Sequence, residues 1–347
     1  MAAVQRWTIC LVVIARDEVP HITRLLHSVQ PWVDHMLVLD TGSLDDTPAL
    51  AAACGARVER FRWCDDFAAA RNAALAIADA DWHLVLDADE WLISGGEQIA
   101  ALREQAPNFV GTINLLDQFD DGALRHAHSR LSRVLPGAVR YQGRIHEQPL
   151  HSLPVRSLAL SVGHDGYLPE RLASKRGRNE ALLLQALQEW PSDAYLWYQW
   201  GKNSAVYDDH AGAEQGFAKA AGLPHSEQGW WVDLVARRLF ALKQLKQHET
   251  AMQFAQTQLD ACADSPDFFF ALGDLLLDLA ADKPDQAQDL LPMIEDAWRR
   301  CLEIGERPDL PGAVAGRGSH LAAHNLALVL DGTGRAEAAQ ALRQAYG

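Results

Sequence analysis

The segment Leu84-Val85-Leu86-Asp87-Ala88-Asp89-Glu90 runs from a wholly apolar stretch straight into three carboxylates. Acids clustered at the end of a buried strand are costly to desolvate unless a cation meets them. In an extended chain alternate side chains leave the same side, so Asp87 and Asp89 would converge on one ion. Two hard oxygen ligands suit magnesium or manganese, and such ions in turn suit a diphosphate. The alternative is that these acids cap the next helix or face solvent, as Asp often does.

The elements that must position them read as alternating strands and helices. Thr8–Ile14 is apolar on both faces, the pattern of a central strand. A helix is expected over Val19–Val29, with Pro20 tolerated in its first turn. His35–Leu39 forms a second strand, broken by the turn residues Asp40-Thr41-Gly42-Ser43. Asp46-Thr47-Pro48 opens a helix that stops at Gly55. Arg57–Glu59 is a short third strand, Phe67–Ala80 an Ala-rich helix and Trp82–Leu86 a fourth strand. This order predicts a parallel sheet with right-handed crossovers, whose ligands bind beyond the carboxyl ends of the strands. Arg16-Asp17-Glu18, Asp40 and Asp87-Ala88-Asp89 all fall on that rim. Further strands are expected at 111–115, 130–134 and 139–141, and a long polar helix from near Pro169 to Trp190.

Beyond that helix the pattern is all-helical and repetitive. Trp197, Gly201, Ala213, Phe217, Ala220 and Pro224 sit near the offsets of the 34-residue tetratricopeptide pattern. Leu326, Gly334 and Ala339 fit it again, and Ala251 and Leu272-Gly273 mark weaker copies, the last stretched around Asp282–Gln286. Three to four degenerate repeats over 191–347 follow, stacked because no helix pair can bury its face alone. The expected division is therefore a catalytic α/β domain over 1–168, a linking helix over 169–190 and tetratricopeptide-like repeats over 191–347.

Composition narrows the function classes. In 347 residues, 48% are hydrophobic and 22% charged, as in folded proteins, and the formal net charge is -15. Such an acidic chain is a poor nucleic-acid binder, since phosphate contacts need clustered Lys and Arg. The five cysteines, Cys10, Cys54, Cys64, Cys262 and Cys301, are scattered without C-x-x-C spacing, so reduced thiols are expected, with neither disulfides nor a zinc site. The apolar run Ile9–Ala15 is far shorter than the ~20 residues that cross a bilayer, so no transmembrane segment and a cytoplasmic location are expected. An oligomer is compatible with the sequence.

The motifs Ala15-Arg16-Asp17-Glu18, Leu39-Asp40-Thr41-Gly42-Ser43-Leu44-Asp45-Asp46-Thr47, Asp66-Phe67-Ala68-Ala69-Ala70-Arg71-Asn72 and Leu86-Asp87-Ala88-Asp89-Glu90 occur in this order. Their order and spacing resemble family-2 glycosyltransferases with the A-type nucleotide-sugar fold, a mixed sheet flanked by helices. His146-Glu147, His164-Asp165-Gly166-Tyr167 and Lys175-Arg176-Gly177-Arg178-Asn179 resemble the branch with C-terminal helical repeats, which includes the sublancin-type peptide glycosyltransferases. A related branch, the lipopolysaccharide-core glucosyltransferases, shares the first four motifs and a His-Glu pair.

The resemblance implies a nucleotide-sugar donor, a UDP-sugar, and a divalent cation, manganese or magnesium. It implies that Asp89 holds the ion directly, that Asp87 acts through ribose or metal, and that His164 completes the coordination; a turn histidine bonded to backbone is the alternative. Glu90 is expected in solvent or at a cap. Ala15 and Glu18 would seat the nucleotide, partly through backbone groups. Asp40 would meet uracil or ribose, unless its carboxylate is spent on an Asx-turn with Thr41-Gly42. Arg71 would lie near the base or phosphates, unless it belongs to a solvated helical face.

An inverting transfer needs a base at the acceptor, and Glu147 is the candidate, with His146 in competition and a Glu147–Arg144 salt bridge as the structural alternative. A concave aromatic lining from Trp197, Trp200, Trp230 and Trp231 would favour a peptide or protein acceptor held by the repeats, modified at Ser, Thr or Cys. Packing of the repeats is the commoner use of such residues. Two other readings stay open. One is a lipopolysaccharide-core or lipid-linked acceptor, met by a basic stripe at Lys175, Arg176 and Arg178. The other is a non-catalytic repeat scaffold.

Overall fold

The computed structural model describes residues 6–120, 124–164, 177–224 and 229–346. The chain divides into two compact units, Met1–Leu182 and Leu183–Gly347. That division falls inside the expected linking helix, of which Arg178–Glu189 is helical. Asp165, Gly166, Tyr167, Lys175 and Arg176 lie outside the described residues.

The first unit is built on an eight-stranded sheet in the order β3-β2-β1-β4-β7-β6-β10-β5. Four strands, β1 (Ile9–Ala15), β2 (His35–Asp40), β3 (Arg57–Arg60) and β4 (Trp82–Val85), run parallel, joined by the helices α1 (Ile22–Val29), α2 (Thr47–Ala53) and α3 (Phe67–Ala78). β7 (Leu124–Pro136) lies antiparallel between β4 and β6 (Val110–Asp120), and β10 (Val155–His164) runs parallel to β6. β5 (Glu90–Ser94) closes the edge, antiparallel to β10. A separate hairpin pairs β8 (Arg140–Gln142) with β9 (Gln148–Leu150).

Period-two alternation in β1 sets the two faces of this sheet. Ile9, Leu11 and Val13 pack with Ile22, Leu25, Leu26 and Val29 of α1. Cys10 and Val12 face the other way, onto Ala68, Ala74 and Leu75 of α3. Each such side chain contributes roughly 1.5–3 kcal/mol when fully buried. The small residues of α3 let that helix lie close to the sheet, and Asp66 caps it by accepting a bond from the Ala69 N–H at 2.8 Å. The helix ends at Ala78, two residues short of the expected stop, because Asp79 turns left-handed at φ 42°.

The second unit is a succession of helices in which neighbours in sequence pack in pairs. Ala194–Val206 packs on His210–Gly222 where Gly201 and Gly216 leave no room for a Cβ: one on Gly201 would lie 2.6 Å from the Phe217 ring. Trp231–Gln244 precedes His248–Gln258, Pro266–Asp282 precedes Ala287–Ile304, and His320–Gly332 precedes Ala336–Tyr346. Ala213, Phe217, Ala220, Ala251, Leu326 and Ala339, singled out by repeat spacing, are all fully buried. The expected stretch around Asp282–Gln286 is a short 3-10 turn, Pro284–Gln286. Trp230 is buried against Tyr198, stacked at 5.0 Å, and Trp197 and Trp231 pack on the same cluster. Trp197, Trp230 and Trp231 thus take part in packing between helices, the commoner use weighed for them. Among the described residues, no helix is long and apolar enough to cross a membrane.

The cysteines are free. Burial pushes the Cys10 thiol up to about 12 and that of Cys262 likewise to about 12, and raises Cys301 as well. Exposed Cys64 should therefore be alkylated in the native chain, whereas Cys10, Cys262 and Cys301 should react only in denaturant. Peptide mapping after iodoacetamide treatment reads this directly, and native labelling of Cys10 would contradict its place in the sheet.

Candidate active site

The parallel strands end together, and register fixes what stands on the rim. Ala15 of β1 lies beside Asp40 of β2, and Asp40 beside Arg60 of β3. The loops after β1 and β2 are tied to one another. The Ala15 carbonyl accepts from the Thr41 N–H at 2.9 Å and the Thr41 hydroxyl at 3.2 Å. Asp17, held at φ 56°, accepts from the Leu44 N–H at 2.7 Å, and its own N–H donates to the Ser43 hydroxyl at 3.0 Å. The Glu18 N–H donates to the hydroxyl of buried Thr47 at 2.7 Å. Ala15 and Glu18 thus stand where expected, but the Ala15 carbonyl and Glu18 amide are spent on joining the two loops.

Asp40 is 5% exposed, and its Oδ1 accepts from the Ser43 N–H at 3.1 Å. The Asx-turn alternative is therefore real. The same residue also lines a cleft of about 560 Å³ with Ser43, Asp45, Pro48, Arg60 and Phe61. The turn thus leaves Asp40 on the wall of the cleft.

The Asp-x-Asp segment differs from the expected extended run. β4 stops at Val85, and the chain then folds into a tight turn in which the Glu90 N–H donates to the Asp87 carbonyl at 3.0 Å. Alternation no longer applies once the strand has ended. The Glu90 side chain closes the turn from the other direction, accepting from the Asp87 N–H at 2.9 Å. Glu90 is 1% exposed, which corrects the expectation of a solvent-facing residue.

Two guanidinium groups meet this turn. Arg71 Nη2 donates to Asp87 Oδ1 at 2.6 Å, and Arg133 Nη2 to Asp87 Oδ2 at 2.7 Å and to Glu90 Oε1 at 2.8 Å. Each Asp87 oxygen thus accepts from an arginine, which fixes how its carboxylate is presented at the rim. Burial opposes its charge, but Arg133 and Arg71 outweigh that and hold its carboxyl well below the usual range. Glu90 has the opposite balance: burial and the neighbouring Asp87 charge prevail over Arg133 and push it up to about 7.

Arg71 lies on α3, on the buried side of the helix at 6% exposure, so the solvated-face alternative fails. Burial disfavours its charge, but Asp87 and Glu147 keep it protonated. Its Nε donates to Glu147 Oε1, and its guanidinium lies 5.5 Å from the Tyr141 ring. Glu147 therefore has a salt bridge with Arg71 instead of the one weighed with Arg144. Glu147 and His146 sit in the turn of the β8–β9 hairpin, where Gly143 and His146 both take positive φ, 103° and 52°. That turn is anchored to α3 by the Phe67 N–H, which donates to the Arg144 carbonyl at 2.8 Å. The Glu147 side chain is only 8% exposed, and His146 is half-buried.

His164 ends β10 opposite Glu90 in the sheet register, which carries its Nε2 to 3.4 Å from Asp89 Oδ2. Among the described residues, no group of three or more His, Cys, Asp or Glu forms a ready-made cage. One carboxylate and one imidazole at the rim nevertheless fit a transition-metal ion such as manganese that takes its other ligands from phosphate oxygens and water.

Sequence reasoning missed Arg133, Tyr141 and the buried role of Glu90. Arg133 occupies a bulge: Gly111 of β6 pairs with Val134 and Thr112 with Ser132, so Arg133 has no partner across β6. Period-two reading cannot place a side chain at such a step.

Residues 10–141 match the model of glycosyl transferase family 2. A TPR repeat-containing protein of Synechococcus elongatus is 39% identical over 218 residues, 56% of this chain and 51% of that protein, so the chain spans about half of that relative. The SPbeta prophage-derived glycosyltransferase SunS of Bacillus subtilis is 25% identical over 305 residues, 84% of this chain and 71% of that protein. Among solved structures, glucosyl-3-phosphoglycerate synthase of Mycobacterium tuberculosis with Mn2+, UDP and glucosyl-3-phosphoglycerate shares 26% identity over 32% of this chain and 44% of its own, with a TM-score of 0.27. The matched residues carry Asp40, Arg71, Asp87 and Asp89, and over this stretch the N-terminal unit is similar to glycosyl transferase family 2.

Proposed function

We propose that this chain is a metal-dependent, inverting glycosyltransferase that moves a sugar from a UDP-sugar to a Ser, Thr or Cys side chain of a peptide or protein. The observation that carries this reading is the Asp89–His164 pair at 3.4 Å, in a unit that also holds the cleft lined by Asp40 and whose residues 10–141 match glycosyl transferase family 2. Asp89 and His164 would hold manganese or magnesium, which when bound neutralises the diphosphate and the leaving nucleotide. The cleft at Asp40 takes the nucleobase and ribose, with Ala15 and Glu18 fixing its wall. Asp87, clamped by Arg71 and Arg133, orients the turn and presents its carboxylate edge to the ribose.

The base that takes the proton from the acceptor would come from the hairpin turn, His146 or Glu147. Engagement of Glu147 by Arg71 supports His146 for that step and Glu147 for holding Arg71. The peptide acceptor rests on the resemblance to peptide glycosyltransferases and on the helical pairs that follow the catalytic unit.

Two measurements test the reading. Calorimetric titration of the full chain with UDP should show binding that strengthens with manganese, and no binding under either condition would favour a scaffold. Mass spectrometry of peptides incubated with a panel of nucleotide sugars should show a hexose adduct that disappears in excess chelator and returns when manganese is restored. Full transfer in excess chelator would remove the metal from the proposal.

A further inference from the structure

Arg133 lies in none of the motifs, yet it holds both ends of the turn that carries Asp89. One nitrogen, Nη2, donates to the Asp87 carboxylate and to the Glu90 carboxylate, 2.7 and 2.8 Å away. Those residues are the first and last of the turn, which is closed by the two bonds between Asp87 and Glu90. The direction of Asp89, third in the turn, is thus set by a brace of Arg133 and Glu90 beneath it. Its own counterpart, His164, is placed by β10 pairing with Glu90, so both arms of the pair are referred to the same residue.

The bulge explains how a strand residue reaches this position. With Arg133 skipped in the β6–β7 register, its side chain leaves the regular alternation of β7 and turns to the end of neighbouring β4. Gly111 makes the step possible: a Cβ there would lie 2.7 Å from Leu158 and 2.9 Å from Val134. An arginine at 8% exposure, with its Nε left without a partner, is an expensive way to hold a turn that hydrogen bonds already close. Retaining it calls for a purpose beyond stability.

We infer that Arg133, with Glu90, is a positioning residue for the divalent cation, acting through the Asp87–Glu90 turn to aim Asp89 at the ion beside His164. The inference rests on the proposed metal-dependent transfer and adds to it the device that sets the ligand geometry. Groups that orient metal ligands typically alter metal affinity by roughly 10- to 100-fold when removed.

The test uses the full chain in three forms: unaltered, Arg133→Lys, and the double variant Arg133→Met/Glu90→Leu. The double variant removes the buried guanidinium together with the acid it braces, so neither is left without its partner, and Asp87 keeps Arg71. Manganese is titrated calorimetrically with UDP present, UDP is titrated without metal, and melting is recorded for each form. The expected result is cooperative melting of the double variant and manganese binding weakened roughly 10- to 100-fold, well beyond any loss of metal-free UDP binding, with Arg133→Lys in between. Manganese binding equal to that of the unaltered chain, in the double variant or in Arg133→Lys should only that form fold, overturns the inference and leaves the proposed function standing. Absence of UDP and manganese binding in the unaltered chain overturns both.

Discussion

Replacing Arg71 with methionine is expected to destabilise the N-terminal unit by about 3 kcal/mol and to abolish UDP binding. The guanidinium is the shared partner of Asp87 and Glu147, and its own side chain is 7% exposed. Methionine fills similar space but leaves two acids facing each other across an apolar side chain. Breaking a buried pair on one side costs about 3–5 kcal/mol, and the lower end applies because Asp87 is 35% exposed and partly screened by water.

The loss should depend on pH with a definite sign. Arg71 helps to hold the Asp87 carboxyl below its ordinary value of 3.8. The stability drawn from that pairing is fully present above the unfolded pKa and fades as pH falls through the acid range. The deficit of Arg71→Met should therefore be largest near neutrality and shrink below pH ~4 as Asp87 takes up its proton. Hydrogen exchange at the β1 and β4 amides reports on this unit separately from the helical one. Exchange indistinguishable from the unaltered chain at pH 7 would mean that the Arg71 network bears no stability.

That network also shows where the sequence stopped being readable. The parallel core was legible because β1, β2 and β4 are apolar on both faces and the helices between them are the right length to cross back. Polar clusters at the strand ends were legible for the same reason: once the strands are placed, their carboxyl ends share a rim. Asp87 and Asp89 were found, but their geometry was not. The convergent pair assumes that the strand continues, whereas Glu90 folds back onto the Asp87 amide and ends it one residue before Leu86.

Glu90 looked like a surface acid because nothing nearby in sequence could neutralise it; its counter-charge comes from Arg133, 43 residues away. Arg133 itself was hidden by the bulge, since an unpaired residue in a strand obeys no period. The hairpin that carries Glu147 gave a similar difficulty. Arg144, the neighbour in sequence, was the obvious partner, yet its carbonyl anchors the turn to α3 and Arg71 takes the carboxylate. Local reasoning finds residues at element ends; it does not find the long-range charges that decide how those residues point.

Asp89→Asn should have the opposite profile to Arg71→Met: little change in stability, and transfer lower by on the order of 10³-fold. Asparagine keeps the shape of the side chain and removes its charge. No buried cation is stranded by the change, because Arg71 and Arg133 keep their bonds to Asp87 and Glu90. What is lost is the hard anionic oxygen that Asp89 sets beside His164. A neutral amide oxygen is a much weaker ligand for manganese or magnesium.

The clearest measurement is thermal melting with ligand, because a molecule that binds only the folded state stabilises it by about 2.7 kcal/mol at 100 times its Kd. UDP with manganese should raise the melting temperature of the unaltered chain by more than UDP alone. In Asp89→Asn the manganese increment should vanish while the effect of UDP alone remains, since the cleft around Asp40 is untouched. A persistent manganese increment would place the ion elsewhere, and loss of the UDP effect as well would mean that Asp89 supports the nucleotide cleft and not the cation.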